Sequence, residues 1–343
     1  MPIDISIIIP CFNRIELLKQ TLQSVKAAIK TLTAEVILVD DGSDLPIAQQ
    51  IPEFADLPLV IIRQENSGLT ISRYNGMLAA KGKYIQFLDS DDVIAPDKFI
   101  VQLSRMEKEN ADVSHTDIGE YHFDRITKQL AMGRVLSIPH NDKSALFYIK
   151  TQPVPHSPIF RRDYLVPIIS KPFIPLSRDY DFIGEVWFYY NLAIYPAKII
   201  KVDQPLTFVV NHDEVRLTNN WELMGLCALN LQRGFIVYLP AHMVIADAVK
   251  KEVAVAAFST FRHLPYQMNR KFKYAFIDVW KKLGRTTIKE LNGGKYFSAL
   301  ARLIGPVNAA LFFQRFNGKD YRKMRSVNEK ELSERLQKVL KNH

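Results

Sequence analysis

Cysteine is scarce in this chain: Cys11 and Cys227 are the only two among 343 residues. They are too few and too far apart for a disulfide framework or a zinc site, and they fit a reducing, cytoplasmic compartment. No apolar run reaches the roughly 20 residues that a spanning helix needs. The first apolar run, in MPIDISIIIPCFNR, lacks a basic leader and is interrupted by Pro10, so it reads as a strand and not as a signal peptide. Glycine-rich phosphate cradles are missing too. Neither GxxxxGK[ST] nor GxGxxG occurs, which removes the P-loop NTPases and the Rossmann dehydrogenases from consideration. There are no internal repeats or low-complexity tracts.

What remains is an ordinary globular composition, 48% hydrophobic and 24% charged, long enough for one large domain or two unequal ones. The net charge of +9 is unevenly spread. Residues 250–343 carry 21 Lys+Arg against 7 Asp+Glu, a net of +14, whereas residues 1–249 carry 24 against 29, a net of −5. A basic tail on a slightly acidic body calls for an anionic partner, and nucleic acid, anionic lipid and an acidic polymer all qualify on charge alone.

Over the first hundred residues the hydrophobic period switches repeatedly. Ile5–Pro10, Glu35–Val39, Leu59–Arg63 and Tyr84–Leu88 read as buried strands, and Glu16–Lys30 and Thr70–Ala80 as helices. Strands and helices alternating at this spacing predict βαβ units and an α/β fold with a mostly parallel sheet. From Ala111 to about Leu217 nine prolines predict short strands and loops, with one helix from Asp179 or Asp181 to Ala193. Helices follow from Trp221, among them Met243–Phe261, Asn269–Leu283, Tyr296–Phe316 and Glu329–Asn342. The expected division is 1–220 and 221–343.

In parallel α/β sheets, ligands bind at the carboxyl ends of strands. Three such ends are polar here: Pro10-Cys11-Phe12-Asn13, Asp40-Asp41-Gly42-Ser43 and Asp89-Ser90-Asp91-Asp92. Capping of the next helix accounts for one carboxylate per turn. Five at two neighbouring ends repel one another unless a cation is present. Carboxylates plus phosphate oxygens are how Mg²⁺ or Mn²⁺ usually meets a nucleoside diphosphate.

The ordered series SIIIPCFNR, VILVDDGSD, ENSGLTISRYNG and AAKGKYIQFLDSDDVIAPDK, spanning residues 5–98, resembles the family 2 glycosyltransferases of bacterial surface-polysaccharide type. That resemblance implies the GT-A fold, a nucleotide-sugar donor and a divalent metal. It places Pro10, Phe12 and Asn13 along the nucleoside, followed by Glu16. Asp41 falls on the base, and Asn66 and Arg73 on the nucleotide. Asp89-Ser90-Asp91 matches the DxD triplet, with Asp89 near the ribose, Ser90 in the nucleotide site and Asp91 on the metal. His212 resembles the histidine of a Y-R-x-H segment near the diphosphate, where imidazole can bind Mn²⁺ or phosphate, and Arg216 follows in the same loop. His156 and Arg161-Arg162 lie in a segment like the family's acceptor-side strand, with no role to assign.

The family's catalytic base belongs to an E-D-W-like motif opening a helix. Ser177–Trp187 departs from it and leaves three candidates, Asp179, Asp181 and Glu185. Position at the helix start favours Asp179. Counting back from Asp203-Gln204-Pro205-Leu206 favours Glu185.

In the tail, Tyr296–Phe316 gathers Leu300, Leu303, Ile304, Val307, Ala310, Leu311 and Phe313 on one side, interrupted by Gly305-Pro306. It reads either as a helix packed on the rest of the protein or another subunit, or as an interfacial helix on anionic lipid. The expected activity is metal-dependent, inverting transfer of a sugar from a nucleoside diphosphate, UDP foremost. The acceptor is a hydroxyl on a glycan, teichoic acid or lipid-linked molecule, reached from the cytoplasm or the inner membrane face. A homo-oligomer fits the tail; nucleic acid is not an expected partner. There are two rival readings. A nucleotidyltransferase would need a G-x-G-[TS]-R-like loop that Pro10–Arg14 does not provide, and a non-catalytic nucleic-acid binder would rest on the tail alone.

Overall fold

The β-branched run at the start of the chain folds as expected of a strand covered on both sides. Ile5–Cys11 (β1) is buried at every position, and α1 (Ile15–Ala28) turns Leu18, Leu22 and Val25 into the same core. The computed structural model describes residues 2–124, 127, 129–212, 220–240, 246–284, 286–316 and 321–341. They divide into two compact units, 1–214 and 215–343.

In the first unit, β2 (Ala34–Asp40), β3 (Leu59–Arg63), α2 (Leu69–Ala79) and β4 (Tyr84–Phe87) complete the βα series. Next come β5 (Val93–Ile94), α3 (Lys98–Glu109), β6 (Val113–Phe123), β7 (Leu130–Leu136), β8 (Ile159–Arg161), α4 (Arg162–Ile169), α5 (Gly184–Leu192) and β9 (Ile199–Asn211). The sheet runs β3-β2-β1-β4-β8-β6-β9-β5, with β7 added to β6. β1 is parallel to both β2 and β4, and β2 to β3, so these strands end on one edge. Beyond β4 the sheet becomes mixed: β8 is antiparallel to β4 and β6, while β9 is parallel to β6. Pro10 is tolerated in a central strand because the β1–β4 ladder stops at Ile8, so its missing N–H is not needed on that side.

Two expectations for the middle of the chain are corrected. The proline-rich stretch contains long strands, β6 with 11 residues and β9 with 13. Pro205 lies inside β9, opposite Asp117, and the ladder absorbs it by shifting register on both sides of Asp117. The helix expected from Asp179 or Asp181 begins later. Arg178–Ile183 is a 3₁₀ turn, with Ser177 accepting the Asp179 N–H, and the α-helix starts at Gly184. Glu185 therefore stands in the helix's first turn.

The second unit is helical: α6 (Trp221–Tyr238), α7 (Ala246–His263), α8 (Arg270–Lys282), α9 (Gly294–Ile304), α10 (Pro306–Phe316), α11 (Tyr321–Met324) and α12 (Glu329–Lys341). Its core gathers Phe235, Phe258, Phe261, Phe272, Phe276 and Trp280. Glu222 is buried but satisfied, accepting from Tyr321 Oη at 2.5 Å and from the N–H groups of Ser326 and Val327. The helical segment over Tyr296–Phe316, expected to be interrupted at Gly305-Pro306, is two helices broken at Gly305, whose φ of +83° is open to glycine and strained for other residues. No helix among the described residues is long and apolar enough to cross a membrane.

Candidate active site at the strand ends

Because β1, β2 and β4 are parallel and in register, their terminal loops converge. Asn13, held at φ +63°, ties the first two together: its side chain accepts the Asp44 N–H at 2.9 Å, and its own N–H donates to Ser43 Oγ at 3.0 Å. Phe12 beside it is left 46% exposed, an aromatic face at the mouth of the site. Glu16 is exposed on the first turn of α1.

Each of the five acids has its own environment. Asp40 is structural: it accepts from Ser43 N–H, Ile47 N–H and Arg63 Nη1. Burial pushes its carboxyl up, but these donors and the Arg63 charge outweigh that and hold it below its ordinary value. Asp41 is buried and orders the loop after β3, accepting from Gln64 Nε2 at 2.7 Å, Ser67 N–H at 2.8 Å and Gly68 N–H at 2.9 Å. Asp89 meets Arg73 Nη2 at 2.5 Å. Asp91 Oδ2 receives Arg14 Nη1 at 2.6 Å and lies 3.2 Å from His212 Nε2. Asp92 accepts the Val210 N–H at 2.8 Å and stands 3.2 Å from His156 Nδ1. Ser90 is buried between them and hydrogen-bonds the Cys11 thiol, which burial pushes up to about 12. The mutual repulsion of these acids is thus relieved in large part by the chain's own Arg63, Arg73 and Arg14, so their clustering does not by itself demand a metal.

Arg73 organises the centre. It is almost fully buried, and its Nη1 reaches Glu185 Oε2 at 3.3 Å while Nη2 holds Asp89. The Glu185 side chain keeps about a third of its surface open. The other two base candidates are placed differently. Asp181 accepts the Thr70 N–H at 3.1 Å at the start of α2 and is wedged against Gly68. Burial pushes its carboxyl up against the lowering pull of that bond. Asp179 is exposed on the 3₁₀ turn. Asn66 is clasped by Arg178, which donates to its carbonyl at 3.0 Å and to its Oδ1 at 2.5 Å. Arg216 lies outside the described residues.

Two groups could hold a hard cation. Asp91 and His212 present an oxygen and a nitrogen 3.2 Å apart, close to the roughly 3 Å separating neighbouring ligands of an octahedral ion. Deeper, Asp89, Asp92 and His156 bring ligand atoms within 4.8 Å of one another. His156 is buried, neither ring nitrogen makes a hydrogen bond, and burial pulls its pKa down to about 4, so a neutral ring faces the acids. Arg14, Asp92 and Arg178 have no site role assigned from sequence, and His156 is noted there without one. Arg14 and Asp92 lie within the quoted motifs, but their partners are 77 and 118 residues away, beyond any local signal.

A parallel βα half whose strand ends carry an acidic triplet, continued by a mixed half that returns a histidine to it, is a GT-A-like glycosyltransferase architecture. Residues 6–167, just under half of the chain, match the model of glycosyl transferase family 2. It is 38% identical over 120 residues to an uncharacterized glycosyltransferase of Rickettsia conorii, covering 34% of this chain and 19% of the relative. It is 31% identical over 141 residues to the uncharacterized glycosyltransferase EpsJ of Bacillus subtilis, covering 39% and 40%. The chain thus spans about a fifth of the first relative's length and two fifths of the second's. A crystal structure of S. aureus TarS 1-349 in complex with UDP-GlcNAc superposes with a TM-score of 0.62 at 14% identity, over 95% of this chain and 93% of that one, which shows the shared fold.

Proposed function

We propose that this chain transfers a sugar from a nucleoside diphosphate, UDP foremost, to a hydroxyl of a glycan, teichoic-acid or lipid-linked acceptor, with inversion at the anomeric carbon. The observation that carries the reading is the convergence of Asp41, Asp89, Asp91, Arg73, His212 and Glu185 on one sheet edge. The complex of TarS with UDP-GlcNAc supports a nucleotide-sugar donor. Phe12 offers a ring face to the base. Asp41 uses three of its roughly four acceptor sites on the protein, which leaves one for a base N–H. Asp91 and His212 would hold Mn²⁺ or Mg²⁺, which when bound neutralises charge on the leaving diphosphate.

Glu185 is the base in this reading. It is the candidate that shares Arg73 with Asp89, and its carboxylate is partly open for an acceptor to approach. As the acceptor oxygen bonds to the anomeric carbon, the bond from that carbon to the diphosphate breaks and the hydroxyl proton passes to Glu185. Asp181 is committed to capping α2. The deciding experiment measures transfer and UDP affinity for Glu185→Gln and Asp179→Asn side by side. Glu185→Gln should lose about 10²–10⁴-fold in turnover with donor affinity kept, and Asp179→Asn should stay near wild type. The reverse result returns the base to Asp179.

A further inference from the structure

Helices α9 and α10 form a hairpin about Gly305, and its two faces differ. The inner face buries Phe297, Ala301, Ala309, Ala310 and Gln314, with Phe297 against Phe258 and Gln314 donating to the Phe261 carbonyl. The outer face leaves Tyr296 85%, Leu303 82%, Phe316 68%, Phe312 47% and Ile304 43% exposed. Single exposed apolar side chains are ordinary. Five large ones on one short hairpin, two flanking its turn and two aromatic rings in contact at 4.7 Å, form a patch that needs a partner.

Charge selects among partners. Gly294–Phe316 contains Lys295, Arg302 and Arg315 and not one Asp or Glu, within a tail of net +14. A second copy of the chain meeting this face about a two-fold axis would set the same cations against each other. A stable protein interface also takes roughly 20–30 residues a side, against five apolar side chains here. Apolar tips beside cations, with a tyrosine at one end, match the boundary between lipid headgroups and acyl chains.

We propose that the outer face of the α9–α10 hairpin docks the protein on an anionic lipid surface, with Leu303, Ile304, Phe312 and Phe316 entering the acyl boundary and Lys295, Arg302 and Arg315 meeting headgroup phosphates. The test is co-sedimentation of the full chain with phosphatidylcholine vesicles, with and without phosphatidylglycerol, at low and high salt. The protein should sediment with the phosphatidylglycerol vesicles at low salt. Leu303→Gln/Phe316→Gln should weaken this by about tenfold or more, since each buried apolar side chain contributes on that scale. Arg302→Gln/Arg315→Gln should remove the preference for phosphatidylglycerol. These side chains are exposed, so circular dichroism should find both variants folded. Three results overturn the proposal: no sedimentation with phosphatidylglycerol vesicles, full binding by Leu303→Gln/Phe316→Gln, or a wild-type oligomer that this same variant dissociates in light scattering. Equal binding of wild type and that variant to soluble polyglutamate and to vesicles would assign the face to charge alone and overturn it as well.

Discussion

Gly68→Ala tests whether the entry to α2 is as tightly built as its geometry says. Gly68 sits at φ 95°, ψ 166°, a region essentially confined to glycine, where a side chain costs about 1–3 kcal/mol. A Cβ there would also fall 1.9 Å from Asp181 Oδ2 and 2.6 Å from its Cγ, so the carboxylate must leave. Leaving breaks its bond to the Thr70 N–H, a helix-capping contact of about 1 kcal/mol. The substitution should therefore cost about 3 kcal/mol, a large share of the roughly 5–15 kcal/mol that holds a typical domain together. The Gly68 N–H also donates to Asp41, so UDP affinity should fall with stability. Urea unfolding of the full chain measures the first effect and calorimetric titration with UDP the second. A double-mutant cycle isolates the clash. Asp181→Ala alone loses the cap, whereas adding Gly68→Ala to it leaves only the backbone strain, so the two changes should couple by about 1 kcal/mol. Strict additivity, or a Gly68→Ala cost below about 1 kcal/mol, would refute the packing argument.

Arg73→Met should leave Asp89 and Glu185 facing each other without their cation; breaking a buried pair costs about 3–5 kcal/mol, reduced here because both carboxylates are partly solvated, so a loss of about 2 kcal/mol with near-abolished transfer is expected. Arg73→Lys should restore part of the stability, since one ammonium cannot reproduce the fork, and full activity in either variant would contradict the bridge. Asp91→Ala should abolish Mn²⁺-dependent strengthening of UDP binding while the fold survives, and calorimetry with and without Mn²⁺ that finds no difference from wild type would remove Asp91 from the metal. His115 is buried, and burial, reinforced by His140 and Lys201, pulls its pKa down to about 4. A depressed histidine contributes stability present above its unfolded value near 6.5 and lost as pH falls toward 4, on the order of 2–3 kcal/mol; the gap between urea midpoints at pH 5 and pH 7 should shrink in His115→Leu, with the remainder owed in part to His156, which burial also pulls down to about 4.

The βα half of the fold and the three polar strand ends were legible from local patterns, because buried strands need continuous apolar runs and chain reversals need Asp, Gly and Ser within a few residues. The mixed half was less so. Proline density argued against long strands, yet β9 accommodates Pro205 through register shifts that depend on β6, more than eighty residues earlier. The start of α5 differs from the expected one for a similar reason: the turn that carries Asp179 and Asp181 is 3₁₀, and the α-helix begins at Gly184, a site where a Cβ would stand 3.1 Å from Thr70 Oγ1 and 3.2 Å from Arg73 Nη1.

Sequence by itself determined which acids, rings and histidines this protein owns and the edge of the sheet that most of them share. Only the tertiary structure decided which carboxylate each arginine neutralises, that His156 lies buried without a hydrogen bond beside Asp92, and that Glu185 joins Arg73 while Asp179 stays outside. Arg73 and Glu185 are 112 residues apart. No period of two or 3.6 residues encodes such a pairing; it arises when packing of the whole sheet and its helices buries Arg73 and brings the partly open Glu185 within reach of it.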